Sequence, residues 1–148
     1  MRNWFRADWR CRAIDEITPQ ALLARGVRFV LVDLDNTLAD YDTPEPKDAH
    51  FAWFQALHDA GIRAAVVSNN KKERVETFCA PLGVPYFWKS GKPRKSALSP
   101  AMAAIGARRE ETALIGDKKT TDVLCARLSG VYAIRVDSIK PRSLLWKK

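Results

Sequence analysis

Apolar residues fall along the chain in two alternating patterns. One is a short continuous run, and the other a longer stretch with apolar positions three or four apart. Phe29-Val30-Leu31-Val32 is the clearest run. Four successive apolar residues with no polar alternation predict a strand buried on both faces, as in a parallel sheet covered by helices. Ala64-Ala65-Val66-Val67, Val84 to Trp88, Thr112 to Ile115 and Val131 to Val136 predict four more strands. Helical stretches lie between them. Thr18-Pro19 reads as an N-cap with proline at the first helical position, opening a helix through Ala21, Leu22 and Leu23 that stops at Gly26. Lys47 to Ala60 predicts a helix with Phe51, Phe54 and Leu57 on one side and Gly61 at its end. Further helices are expected from Lys72 to Pro81, from Pro100 to Gly106 (starting as early as Lys95), and from Thr121 to Leu128, closed by Gly130. This alternation predicts right-handed βαβ units. The expected fold is α/β, a Rossmann-like three-layer sandwich with a mostly parallel sheet of about five strands. One domain spans residues 1–148, with a basic N-terminal segment 1–13. From Ser138 the tail, residues 138–148, shows no period and reads as loosely held.

Polar residues at the strand ends change the picture from architecture to chemistry. Asp33 and Asp35 directly follow the first buried run, Ser68 ends the second, and Asp117 follows the fourth, with Asp122 about a turn later. In open α/β sheets, ligands bind where the loops leave the carboxyl ends of the strands. Crowded carboxylates repel unless a cation sits among them. Asp33, Asp35 and Asp117 offer hard oxygen ligands, which suit magnesium. A carboxylate can also act as a nucleophile, and a second acid can protonate a leaving alkoxide and then activate water. Ser68 and Lys92 could neutralise a transferring phosphoryl group.

Four segments together resemble the haloacid dehalogenase superfamily. Asp33-Leu34-Asp35-Asn36-Thr37-Leu38 is similar to its DxDxT motif, Val67-Ser68-Asn69-Asn70 to its second, Gly91-Lys92-Pro93 to its third, and Gly116-Asp117 to Asp122 to its fourth. A lone DxDxT is weak, but four motifs in order are specific. Ile17-Thr18-Pro19 and Ala80-Pro81-Leu82-Gly83 narrow the resemblance to the YqeG branch of subclass IIIA, similar to phosphatidylglycerophosphate phosphatases. The resemblance covers about residues 14–136. It implies that Asp33 is nucleophile and metal ligand, and that Asp35 is general acid/base with its carbonyl on the metal. Thr37 steadies the loop. Ser68, Asn69 and Lys92 bind the phosphoryl group, Asp117 is the third metal ligand, and Asp122 supports the metal site or Lys92. The implied cofactor is Mg2+. Lys118 and Lys119 stand where this branch usually carries Gln after the acid.

Connections between motifs have the length of single crossover helices, which leaves no room for a cap domain. An open site suits a phosphate presented on something large: a phospholipid headgroup, a phosphoprotein or a nucleic-acid end. A second copy in a homo-oligomer could instead supply cover. A soluble sugar-phosphate or nucleotide phosphatase is the alternative enzyme, and an RNA- or protein-binding module on the same fold is the alternative without turnover.

Composition adds a location and a candidate surface. The formal net charge is +8. Arg2, Arg6, Arg10 and Arg12 against Asp8 give +3 at one end, and Lys140, Arg142, Lys147 and Lys148 give +4 at the other. Trp4, Phe5 and Trp9 interleave with the first group, and Leu144-Leu145-Trp146 precedes the last lysines. Arg with Trp is the composition of an interfacial membrane anchor or of an RNA-stacking surface. It equally fits Trp4 and Trp9 packing back onto the domain. Cys11, Cys79 and Cys125 form no pairing pattern and fit a reducing compartment. With no apolar span and no signal-like start, the expected location is cytoplasmic, with peripheral contact at a membrane. His50 and His58 lack partner acids and read as surface or half-buried helix residues. Trp53 and Phe54 read as core, and Lys89 and Lys95 compete with Lys92.

Overall fold

The computed structural model describes residues 3–140. Within them, six strands form one sheet: β1 (Trp9–Cys11), β2 (Phe29–Val32), β3 (Arg63–Val67), β4 (Tyr86–Phe87), β5 (Thr112–Gly116) and β6 (Tyr132–Val136). Their spatial order is β1-β6-β5-β2-β3-β4, and every pair is parallel. The expected five strands are present, and β1 is a sixth. Its three residues are too short to show a period, and they pair Trp9, Arg10 and Cys11 with Ile134, Arg135 and Val136.

Five α-helices among the described residues connect the strands: α1 (Pro19–Ala24), α2 (Asp48–Asp59), α3 (Lys72–Cys79), α4 (Ser99–Ile105) and α5 (Leu124–Ser129). Thr18 caps α1, its hydroxyl accepting from Ala21 N–H at 3.1 Å. Strand pleating sorts the core into two layers. Val30 and Val32 of β2 pack with Leu22, Phe54, Leu57, Val75 and Phe78 of α1 to α3. Phe29 and Leu31 face the other way, onto Ala101 and Ile105 of α4 and Cys125 and Ala126 of α5. All four side chains of β2 are buried, which is why that run shows no alternation. Each fully buried side chain of this size contributes about 1.5–3 kcal/mol. Phe51 departs from expectation: it is 43% exposed, because α2 turns only Phe54 and Leu57 onto the sheet.

This wiring places the site. The chain runs outward from β2 through β3 to β4, then returns to the far side of β2 for β5 and β6. The direction of travel reverses beside β2, and such a switch point opens a crevice at the carboxyl ends of its strands. Asp33 lies one residue past β2, where its N–H still donates to Ile115 O of β5 at 2.9 Å. Among the described residues no cap domain is inserted into the sandwich. Nor is any described helix long and apolar enough to cross a membrane.

Candidate active site

After β2 the chain turns sharply. The N–H groups of Thr37, Leu38 and Ala39 all donate to Leu34 O, and Asn36 takes a left-handed φ of 62°. This turn buries Asp33, Asp35 and Thr37 at the sheet edge. Across the crevice, Ser68 and Asn69 follow β3 and Asp117 follows β5. Asp33, Asp35, Ser68 and Lys92 line a cleft of about 280 Å³, with Tyr41 and Lys118 at its sides.

Lys92 reaches the centre of this cluster. Its Nζ donates to Asp33 Oδ1 at 3.0 Å, Asp122 Oδ1 at 2.7 Å and Val67 O at 2.8 Å. Lys89 and Lys95 are exposed. Burial by itself favours the neutral amine, but Asp122 and Asp33 outweigh it and raise the Lys92 pKa, so the ammonium persists. Asp33, Asp117 and Asp122 place carboxylate oxygens within 4.8 Å of one another, all buried. Three carboxylates against one ammonium leave a buried excess of negative charge. Asp33 records it: burial first, then Asp122, with Asp117 adding and Lys92 opposing, pushes its carboxyl up to about 7. A divalent cation among these oxygens removes the excess, and the hard donor set fits magnesium.

Asp117 is held from three sides. Thr37 Oγ1 donates to its Oδ1 at 3.2 Å, Ser138 Oγ to its Oδ2 at 2.6 Å, and Arg135 Nε to its backbone carbonyl at 3.2 Å. Asp122 sits on a single π-helical turn, Lys119–Val123, between β5 and α5. Extra-wide turns of this kind are frequent at functional sites. Its second oxygen accepts the Lys118 N–H at 3.2 Å. A Cβ at Gly116 would lie 2.1 Å from the Asp122 Cγ, so glycine is required there for space.

Against this geometry stand the known proteins. Residues 3–130 match the haloacid dehalogenase-like hydrolase family. The chain belongs to that family. It is 35% identical over 136 residues to Probable phosphatase YqeG of Bacillus subtilis, covering 92% of this chain and 79% of that protein. The cobalt-bound deoxy-D-mannose-octulosonate 8-phosphate phosphatase YrbI of Haemophilus influenzae superposes with a TM-score of 0.53 at 27% identity. That match covers 63% of this chain and 60% of the other. A subfamily III A hydrolase from Legionella pneumophila shares the fold, with a TM-score of 0.59 at 20% identity over 89% of this chain and 78% of its own. The chain is a phosphatase of the haloacid dehalogenase type, on the YqeG branch.

The phosphatase cleft brings together Asp33, Asp35, Thr37, Ser68, Lys92, Asp117 and Asp122. It adds detail at Asn69 and Asp35 and corrects one expectation, the loose tail. The Asn69 side chain is turned to the 90–92 loop: its Oδ1 accepts from Ser90 Oγ, Gly91 N and Lys92 N, and its Nδ2 donates to Lys92 O at 2.8 Å. It therefore organises the lysine loop while itself lining the cleft. The Asp35 carboxylate faces Arg74 and Asn70 rather than the acid cluster, at 2.9 and 2.8 Å; the resemblance put its carbonyl, not its side chain, on the metal. The expected loose tail is docked at its start, where Ser138 holds Asp117 and Ile139 N donates to Asn36 O. Arg142, Leu144, Leu145, Trp146, Lys147 and Lys148 lie outside the described residues, as does Arg2.

Sequence reasoning missed Arg74, Asn70, Ser138 and His50. A cation in the first turn of α3 opposes the helix dipole, which hints that Arg74 has a partner. Lys71 and Lys72 blur that signal, since they share the position without burial. His50 is half-buried as expected, yet engaged on both nitrogens. Its Nδ1 accepts from Lys47 N at 2.9 Å and its Nε2 donates to Leu38 O at 2.7 Å, tying α2 to the turn after β2.

Proposed function

We propose that this phosphatase hydrolyses phosphomonoesters through an aspartyl-phosphate on Asp33. Magnesium would be held by Asp33, Asp117 and the Asp35 carbonyl, and would supply charge neutralisation at the transferring phosphoryl group. One observation carries this reading: buried carboxylates in excess surround one buried ammonium, 3.0 Å from Asp33, at the switch point of the sheet.

In the first step an Asp33 carboxylate oxygen bonds to phosphorus while the bond from phosphorus to the ester oxygen breaks. Asp35 gives its proton to that leaving oxygen. In the second step Asp35 takes a proton from water, whose oxygen attacks phosphorus and releases Asp33 and inorganic phosphate. Lys92, fixed by Asp122 and the Val67 carbonyl, neutralises charge on the equatorial oxygens throughout. The Ser68 hydroxyl accepts from Asn70 N–H at 3.0 Å, which leaves its own proton for a phosphoryl oxygen.

The favoured substrate is a phosphate presented on a large or membrane-bound molecule, a phospholipid phosphomonoester such as phosphatidylglycerophosphate. An uncapped cleft flanked by Lys118 and an exposed Tyr41 supports it. So do Trp4 and Phe5, which are 41% and 46% exposed beside the basic N-terminal segment. A phosphate-release assay comparing a lipid phosphomonoester in micelles with soluble sugar phosphates and nucleotides tests this. The expected result is preference for the micellar ester, abolished by EDTA, restored by magnesium and poorly by calcium, whose looser shell misplaces nucleophile and phosphate. Faster turnover of soluble esters overturns the substrate, and full activity in EDTA overturns the metal.

A further inference from the structure

The side of the cleft formed by Asp35 and Tyr41 is built around one residue outside the four motifs. Arg74 lies in the first turn of α3, and only 11% of its side chain is exposed. Its guanidinium is 5.5 Å from the ring centroid of buried Phe78. All three of its nitrogens are engaged, each with a different acceptor. Nε donates to Asp35 Oδ1 at 2.9 Å, a terminal nitrogen to Asp40 O at 2.8 Å, and the other to Thr43 O. Asn70 Nδ2 takes the second Asp35 oxygen at 2.8 Å. Both oxygens of Asp35 are thus fixed by donors from the β3–α3 connection and the start of α3. The same guanidinium staples both ends of the 40–43 loop, which carries Tyr41 to the edge of the cleft.

We infer that Arg74 is a positioning residue for leaving-group departure. It orients the Asp35 carboxyl and, through the Asp40 and Thr43 carbonyls, fixes the loop that flanks the ester oxygen. This rests on the reading of Asp35 as the acid that protonates the leaving oxygen. A planar group with three rigidly placed nitrogens suits this, because one carboxylate and two carbonyls are each bonded by a different nitrogen. An ammonium on a flexible stem cannot serve all three with the same geometry. The hydrogen bonds of Arg74 go to Asp35 and the 40–43 loop and not to Asp33, Lys92 or Asp117, so it acts through Asp35 and the loop, and not on the nucleophile.

Leaving-group dependence separates this role from a general loss of fold. An alkyl phosphate needs its departing oxygen protonated, whereas a p-nitrophenyl ester leaves as a stable anion. The full-length protein with magnesium is assayed on both, with kcat/KM reporting steps through formation of the aspartyl-phosphate. For Arg74→Ala the alkyl ester is expected to lose about 100-fold, within the usual range for acid catalysis, and the p-nitrophenyl ester only a few-fold. Arg74→Lys should lie between, and added guanidinium ion should restore part of the alkyl-ester rate to Arg74→Ala. Asp35→Asn should show the same selective loss, and adding Arg74→Ala to it should cost little more, because the two act as one unit. Equal losses on both esters, no loss on either, or full additivity with Asp35→Asn would overturn the proposal. If Arg74→Ala does not fold, the same comparison of the two esters is made with Arg74→Lys, and a selective loss on the alkyl ester is again required. Asp33→Asn is run alongside. If it stays active, the reading of the mechanism fails. If it is inactive while Arg74 variants lose uniformly, only the role of Arg74 fails.

Discussion

Asp33 is where burial, charge and position meet. Its carboxyl is pushed up to about 7, from an ordinary value of 3.8, by burial, Asp122 and Asp117 against Lys92. Without metal, the folded state therefore keeps a proton that the unfolded chain releases. Stability from this group is present below about pH 4 and is lost as pH rises through about 7. A cation that binds the carboxylates reverses the loss. Magnesium should accordingly raise Tm more at about pH 8 than at about pH 5. Equal or larger shifts at the lower pH, measured by thermal denaturation with and without EDTA, would contradict a metal site at Asp33. Gly116 is the second residue with a sharp expectation. Gly116→Ala drives a methyl into Asp122 and so displaces the Lys92 ammonium. We expect a stability loss of about 1–3 kcal/mol, as for overpacking, and a fall in activity larger than that loss explains. Denaturant titration and kinetics on the same preparation check both. The cysteines have no such role: burial pushes Cys79 up to about 12 and Cys11 up to about 11, so they stay protonated as packing residues.

At the scale of elements, the strand and helix pattern was legible wherever burial imposed a period. The four-residue run of β2 announced a strand covered on both faces, and Thr18-Pro19 announced α1. Asp33 and Asp117 were legible because each stands directly after a strand. What stayed hidden depends on partners distant in sequence. β1 is a strand only because β6 offers an edge, and nothing in Trp9-Arg10-Cys11 declares that. Trp9 was a candidate membrane anchor, but it sits in β1 with the Arg25 guanidinium 3.6 Å from its ring centroid. Asp8 locks the approach to β1: its N–H donates to Ala133 O, and its carboxylate accepts from Ala133 N and Arg127. Arg74 and Ser138 were unreadable for the same reason, since their partners lie 39 and 21 residues away. Deleting residues 1–11 should therefore strip an edge strand and lower Tm by several degrees, about 2–4 °C for each kcal/mol lost in a chain of roughly 150 residues. Deleting residues 1–5, which spares Asp8 and β1, should lower Tm by less. Equal effects of the two deletions, read by calorimetry, would show that β1 contributes no stability.

For the whole molecule, the charge of the ends is less bare than the count implies. Arg10 pairs with Asp137, Arg12 with Glu16 and Lys140 with Asp42. Exposed pairs of this kind add little stability, but they cancel charge that a membrane would otherwise meet. Among the described residues, contact with an anionic surface would then fall to Trp4, Phe5 and Arg6. Replacing Trp4 and Phe5 by Ser should reduce binding to anionic vesicles in sedimentation assays and slow micellar lipid turnover, with little change on a soluble ester. Unchanged vesicle binding would remove the segment from the account. Salt-sensitive binding to RNA, with none to vesicles, would favour a nucleic-acid surface. The central claim concerns the chemistry at the switch point, and Asp33→Asn tests it most directly. The substitution keeps shape and removes one buried charge from a crowded site, so the metal-free protein should fold at least as well as the parent at neutral pH. Its turnover of a good phosphomonoester in saturating magnesium should fall by about 10⁴-fold or more, the scale of losing a nucleophile. Turnover within a few-fold of the parent would contradict an aspartyl-phosphate on Asp33.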